Sequence, residues 1–228
     1  MWYRNLPEGK SWAALWTGYV RCGTCSGIRK LDNPCPSCQD PTPCSEPSRV
    51  RLADGRELQV PPAFMGAEGR YEDWVYLSML ETEWTRPLTD SDRFLNISED
   101  KRPAARSVIV LVFWSYFETR IDRLFRESLC TIPDPIVADL LRRYSSVGSR
   151  LDRLYRTVFS TTYWGDLNEL GFQTVSNLLQ SVQQRRNEFM HGKPEAIDDT
   201  LVADLVAGLK DEHEAWIAVF NRRAAQHS

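Results

Sequence analysis

The chain has 228 residues and a formal net charge of −3, with 28 Lys and Arg against 31 Asp and Glu. That balance excludes a uniformly basic polyanion binder, and 42% apolar with 26% charged residues is ordinary for a globular protein of one medium domain plus a small module. The longest apolar run, Val108 to Trp114 with an extension to Phe117 through Ser115 and Tyr116, is far short of the roughly 18–20 residues that a membrane-crossing helix needs.

Met1-Trp2-Tyr3-Arg4 has neither the basic start nor the apolar stretch of a signal peptide. The expectation is a soluble, cytoplasmic chain with no membrane partner, whose six cysteines stay reduced and serve as metal ligands rather than disulfides. Charge is spread unevenly. Residues 102–156 hold ten Arg and six acids, a local excess of four positive charges, while residues 195–216 hold seven acids and one Lys. A basic face suits a polyanion, and ordinary solvated helix faces are the other reading.

Residues 1–47 are rich in Trp, Cys, Pro and Gly and have little periodicity. Within them, Cys22-Gly23-Thr24-Cys25 is followed by Cys35-Pro36-Ser37-Cys38. Each Cys-x-x-Cys presents two thiolates from one tight turn, and two such turns supply the four soft ligands of a tetrahedral zinc site. A closed four-thiolate set leaves no open position for water, so the Zn2+ expected at Cys22, Cys25, Cys35 and Cys38 is structural rather than catalytic. A redox dithiol and unligated thiols are the competing readings. Cys44 is a candidate substitute ligand, and Cys130, among helical residues, reads as a small buried apolar side chain. Trp12, Trp16 and Tyr19 form either the core of this small module or platforms for bases, with the core reading favoured.

Val50 to Val60 alternates around Asp54-Gly55 and predicts a β-hairpin, stopped by Pro61-Pro62. These elements define a module over residues 1–66, and residues 67–228 form a second, helical part. Its first helix ends before Pro87. A polar connection over 88–103 leads to a long helix with Pro103 in its first turn and its end near Leu129. A third helix is expected from Ile136 to Phe159, interrupted near Gly148, then a loop around Gly165–Gly171. A fourth helix runs from Thr174 to His191, where Gly192 and Pro194 end it, and a last helix covers 198–223. Long helices with short links imply a mainly α, up-and-down bundle of four to five helices.

Arg185-Arg186-Asn187-Glu188-Phe189-Met190-His191-Gly192 is the most informative stretch. At 100° per residue, Arg186 falls within the apolar stripe made by Val175, Leu179, Val182 and Phe189. An inward guanidinium must meet an anion or line a cleft. Asn187 and His191, four apart, share a neighbouring face. A capping His and a snorkelling Arg are the alternative.

Arg186-Asn187-x-x-x-His191 resembles the Arg-x(4–6)-His motif of HEPN domains, with the polar residue that commonly follows the Arg. Trp114-Ser115-Tyr116-Phe117-Glu118-x-x-Ile121 is similar to that family's early helix, and the likeness covers about residues 68–225. The resemblance implies metal-independent cleavage of RNA at a composite site between the two copies of a homodimer. His191 would be the proton-transfer group, Arg186 would stabilise phosphoryl charge, Asn187 would orient, and Glu118 would pair with Arg186. Arg185 is a second candidate for the motif's Arg, and His213 and His227 are given no role. The functional expectation is an endoribonuclease of a toxin–antitoxin or antiphage defence system, with an antitoxin or defence protein as partner. The alternatives are a non-catalytic adaptor that binds RNA or protein, and a zinc-ribbon protein acting on DNA.

Overall fold

The computed structural model describes residues 12–16, 18–41, 48–51, 57–60 and 71–225. The Asp54-Gly55 turn, Pro61-Pro62, Cys44 and His227 lie outside the described residues. The protein is mainly helical, with short antiparallel hairpins near its N-terminal end. The chain divides into two compact units, residues 1–78 with 220–228, and residues 79–219.

In the first unit, β1 (Tyr19–Arg21) pairs antiparallel with β2 (Ile28–Lys30), Tyr19 facing Lys30 and Arg21 facing Ile28. This hairpin is absent from the sequence reading, because three-residue strands are too short to show alternation. β3 (Ser48–Arg51) pairs with β4 (Glu57–Val60), Val50 facing Leu58, where the alternating pattern puts a hairpin. Trp16 is fully buried and meets the ring of Tyr19 edge-on at 6.3 Å, so these two aromatics are core. Asn221 holds Ile28 from both sides, accepting from its N–H at 2.6 Å and donating to its carbonyl at 2.7 Å.

In the second unit, α1 (Tyr71–Thr85), which begins in the first unit, leads through an irregular connection to α2 (Val108–Ser128). The connection 86–107 has its own order. Arg86 clamps Glu83 and Asp92, and Arg106 lies over the Trp84 ring while donating to the carbonyls of Glu83 and Arg86. The long helix therefore starts at Val108 rather than Pro103. Ala104 donates instead to the carbonyl of Ile197 at 2.7 Å, which holds its backbone out of the helix. Ile109, Val110, Phe113, Phe117, Ile121, Leu124 and Phe125 of α2 are buried at three- and four-residue steps, the pattern of one core-facing side. Phe117 meets Tyr163 edge-on at 5.8 Å, and Tyr163 meets Tyr155 at 5.7 Å.

α3 (Asp134–Arg143) carries Pro135 in its first turn, where a missing N–H costs nothing. The break in the next helix lies at 144–146, ahead of Gly148. α4 (Val147–Ser149), a π-helical segment Arg150–Leu154 and α5 (Tyr155–Phe159) then run on continuously. The region around Gly165–Gly171, expected as loop, is helical in its first part, within α6 (Tyr163–Glu169). Thr162 caps it by accepting from the N–H of Gly165 at 3.0 Å, a start signal that outweighs the glycine.

α7 (Gln173–Met190) ends as its sequence predicts. His191 is the C-cap, Gly192 follows at φ +91°, and the N–H of Lys193 reaches back to the carbonyl of Glu188 at 3.1 Å. α8 (Asp199–Arg223) closes the chain and contributes to both units. No described helix is long and apolar enough to cross a membrane.

Candidate metal centre and arginine-lined cleft

The first unit brings Cys22, Cys25, Cys35 and Cys38 together, with all four sulfurs within 4.8 Å of one another. Two hairpin-like turns of the same design present them. The N–H of Cys22 donates to the carbonyl of Gly27, and Ser26 donates back to Cys22. Cys35 and Asp40, with Gln39 and Cys35, repeat both bonds. Ser26 and Gln39 occupy equivalent left-handed positions, at φ 59° and 61°. Gly27 is tightly enclosed, since a Cβ there would stand 3.2 Å from Asn221 Oδ1 and from Ser37 Oγ. Arg29 is buried and ties the second turn to the strand, donating to the carbonyls of Lys30, Leu31 and Asp40.

The Cys22–Cys38 and Cys25–Cys35 sulfur pairs both stand at 3.5 Å. Four sulfurs about 2.3 Å from a central ion lie about 3.8 Å apart in a regular tetrahedron, a spacing that falls between the shortest and longest separations in this set, so a small adjustment separates it from a metal cage. Burial pushes the Cys25 thiol up to about 12. At Cys22 burial acts the same way, but hydrogen bonds from the backbone of Cys25 and Thr24 and from Cys38 overcome it and bring the thiol to about 7. One sulfur is thus near its thiolate form at neutral pH, and an incoming cation would displace the remaining protons. The other cysteine with an expected role, Cys130, is exposed rather than buried, because it sits in the turn beyond α2.

In the second unit, a cleft of about 410 Å³ is lined by Trp114 and Glu118 of α2, Gln183, Arg186 and Asn187 of α7, and the turn Ser145–Gly148. Arg186, Asn187 and Glu118 therefore share one opening, although α2 and α7 are far apart in sequence. The Arg186 Nε is buried and has no hydrogen-bond partner, while its Nη1 donates to Asn187 Oδ1 at 3.2 Å. Among the described residues Glu118 makes no ion pair with Arg186, so the carboxylate does not hold the guanidinium inward. Arg185 is committed elsewhere, in an ion pair with Asp198, which also caps α8 by accepting from the N–H of Leu201 at 2.9 Å.

His191 is exposed at the end of α7 and is not among the residues that line the cleft. Five residues beyond Arg186, it lies about 7.5 Å further along the helix axis and about 140° around it. Asn187 bridges the two positions. It lines the cleft, and its carbonyl accepts from the N–H of His191 at 3.0 Å.

The far wall is anchored by Arg150, whose Nε donates to the carbonyl of Tyr144 at 2.8 Å and Nη2 to that of Leu141 at 3.1 Å, with Asp122 at 3.5 Å. These contacts satisfy carbonyls at the end of α3 and pin the turn 145–148 on which the cleft depends. The arginine-rich stretch 102–156 is largely neutralised locally. Arg126 pairs with Asp122, Arg142 and Arg143 with Asp139, and Arg156 with Asp152.

A buried charge pair went unforeseen. Arg120 and Glu212 are both fully buried and joined at 2.5 Å, with Arg120 stacked 4.0 Å from the Tyr116 ring and 5.5 Å from that of Trp216. Arg120 Nε, Arg120 Nη1 and the Tyr163 hydroxyl have no hydrogen-bond partner. Burial raises the Glu212 carboxyl above its ordinary range, and the attraction of Arg120 offsets this only in part. The spacing 113, 117, 120, 124 puts Arg120 on the core side of α2, which is the signal that sequence reading had available.

No protein-family model matches the chain, and no curated protein and no solved structure matches it either.

Proposed function

We propose that the protein is a metal-independent endoribonuclease of HEPN-like, up-and-down helical architecture, carrying a structural Zn2+ on Cys22, Cys25, Cys35 and Cys38. The observation that carries the reading is Arg186, which lines a cleft with Asn187 and Glu118 and makes no ion pair among the described residues, its Nε being buried without a hydrogen-bond partner. A guanidinium that lines a cleft without an internal counter-charge can offer an anion a charge-assisted hydrogen bond there.

In this reading two copies assemble with their α7 ends together. The RNA 2′-hydroxyl attacks the adjacent phosphorus and passes its proton to the Glu118 carboxylate in the same cleft, and the 5′-oxygen leaves with a proton from a His191 at the joined α7 ends. The products are a 2′,3′-cyclic phosphate and a 5′-hydroxyl end. Imidazole as a side-chain type exchanges protons near neutral pH, and Arg186 meets the charge that grows on the phosphoryl oxygens. Asn187 holds the guanidinium in register. A growth-arresting effector of a toxin–antitoxin or antiphage system, restrained by a partner protein in the cytoplasm, is the biological role that fits.

The exposed position of His191 outside the cleft favours a second reading, a non-catalytic adaptor that binds RNA or protein. Incubation of the full chain with RNA in buffer lacking added magnesium, followed by analysis of product ends, separates the two. Cyclic phosphates that vanish with Arg186→Ala and with His191→Ala support cleavage. Intact RNA supports the adaptor, and cleavage unchanged in both variants overturns the assignment of the chemistry to Arg186 and His191.

A further inference from the structure

We propose that Glu118 makes the cleft selective for ribose over deoxyribose, by accepting a hydrogen bond from the 2′-hydroxyl of the nucleotide whose 3′-phosphate meets Arg186. This rests on the ribonuclease reading of the cleft and adds to it the feature of the substrate that is recognised.

The cleft presents two unmet needs on facing helices. On α7, Arg186 lines the opening and makes no ion pair among the described residues. On α2, Glu118 offers a half-buried carboxylate that makes no ion pair with it, although both line the same opening. A ligand that is only an anion satisfies the first and is repelled by the second. A neutral polyol satisfies the second and leaves the guanidinium bare. The ligand that satisfies both carries an anionic oxygen beside a hydroxyl donor, and a ribose with its 2′-hydroxyl next to a 3′-phosphate has that pairing. Deoxyribose lacks the donor, and the 2′-hydroxyl is the group by which proteins tell RNA from DNA.

Neighbouring groups are consistent with this assignment. Asn187 Oδ1 already accepts from Arg186 Nη1, so it fixes the guanidinium instead of competing for the ligand's hydroxyl. The nearest other acid on α2, Asp122, is taken up by Arg126 and Arg150. Glu118 is therefore the acidic side chain on α2 that faces the opening without a cation of its own. The cleft's volume of about 410 Å³ is within the range of small-ligand sites and admits one nucleotide.

The test is equilibrium binding of adenosine 3′-monophosphate and 2′-deoxyadenosine 3′-monophosphate to the full chain, with side-chain amide shifts of Gln183 and Asn187 reporting where they bind. The ribonucleotide should bind about tenfold more tightly, the effect of one hydrogen bond to a charged acceptor. Glu118→Ala should bring the two affinities within about twofold while the deoxynucleotide still binds, Glu118→Gln should restore part of the preference, and Arg186→Ala should abolish binding of both. Equal affinities in the unmodified protein, a preference that survives Glu118→Ala, or shifts away from Gln183 and Asn187 overturn the proposal. Cleavage measured on the same preparations separates the two claims. RNA cut without a ribose preference sinks this inference and leaves the nuclease standing, and a ribose preference without cleavage does the reverse.

Discussion

Replacing Glu212 with Leu should be among the most damaging single changes to the helical unit, and changing Arg120 with it should undo most of the damage. Both side chains are fully buried, and the single bond from Arg120 Nη2 to Glu212 Oε1 at 2.5 Å is the only one that the guanidinium makes to a side chain among the described residues. Removing the carboxylate leaves a cation in an apolar core with no counter-charge, which typically costs about 3–5 kcal/mol. Arg120 starts from a weak position, because two of its nitrogens already lack partners, so no alternative acceptor stands ready. For a chain of this size such a loss lowers Tm by about 10 °C. The double variant Arg120→Met, Glu212→Leu removes both charges and the unsatisfied nitrogens together. Its stability should lie within about 1–2 kcal/mol of the original, or above it, since apolar replacement of a buried pair is often neutral or stabilising. Urea unfolding followed by far-ultraviolet circular dichroism gives all four free energies of the cycle and the coupling between the sites. If Glu212→Leu alone costs under about 1 kcal/mol, or if the double variant is simply the sum of the singles, then the pair is hydrated and the argument from burial fails.

Cys35→Ser should lower the bound zinc measured by elemental analysis from one per chain to well below one, and in the unmodified protein zinc should be released on acidification, as protons compete for the four thiolates. Gly27→Ala should weaken metal retention, since its Cβ meets Cys25 Sγ at 3.3 Å and Asn221 Oδ1 at 3.2 Å; unchanged retention would show that the turn yields. Arg150→Met should cost about 1–3 kcal/mol in unfolding and weaken nucleotide binding in the cleft, because it leaves carbonyls at the end of α3 unpaired and frees the turn 145–148.

Elements whose signal is local were legible in the sequence. The start and end of α7, with Gly192 in the left-handed region, follow from residues within one turn of the boundary, and so does the pairing of β3 with β4. The paired Cys-x-x-Cys turns state their own chemistry. What escaped was set by contacts between distant segments. Pro103 looks like a helix start until Ala104 is seen bonded to Ile197, and Gly165 looks like a loop residue until Thr162 caps the turn that contains it. Cys130 reads as buried because its neighbours are helical, yet one residue past the helix end the backbone carries it to the surface.

Arg120 and Arg186 make the same point about function. Each is an arginine set in an apolar stripe, and by periodicity alone the two are equivalent. Arg120 is met 92 residues later by Glu212 and closed over by Tyr116 and Trp216, so its charge is spent inside the protein. Arg186 has no such partner on any described element, and the acid nearest in role, Glu118, stands in the same cleft without joining it. An inward arginine on a helix is therefore an ambiguous mark until the rest of the chain shows whether an internal anion answers it. Where none does, the guanidinium is left available to an anion from outside the chain, which is what the proposed function supposes. That reasoning makes the Arg186 cleft, rather than the more deeply buried Arg120, the place to look for a substrate.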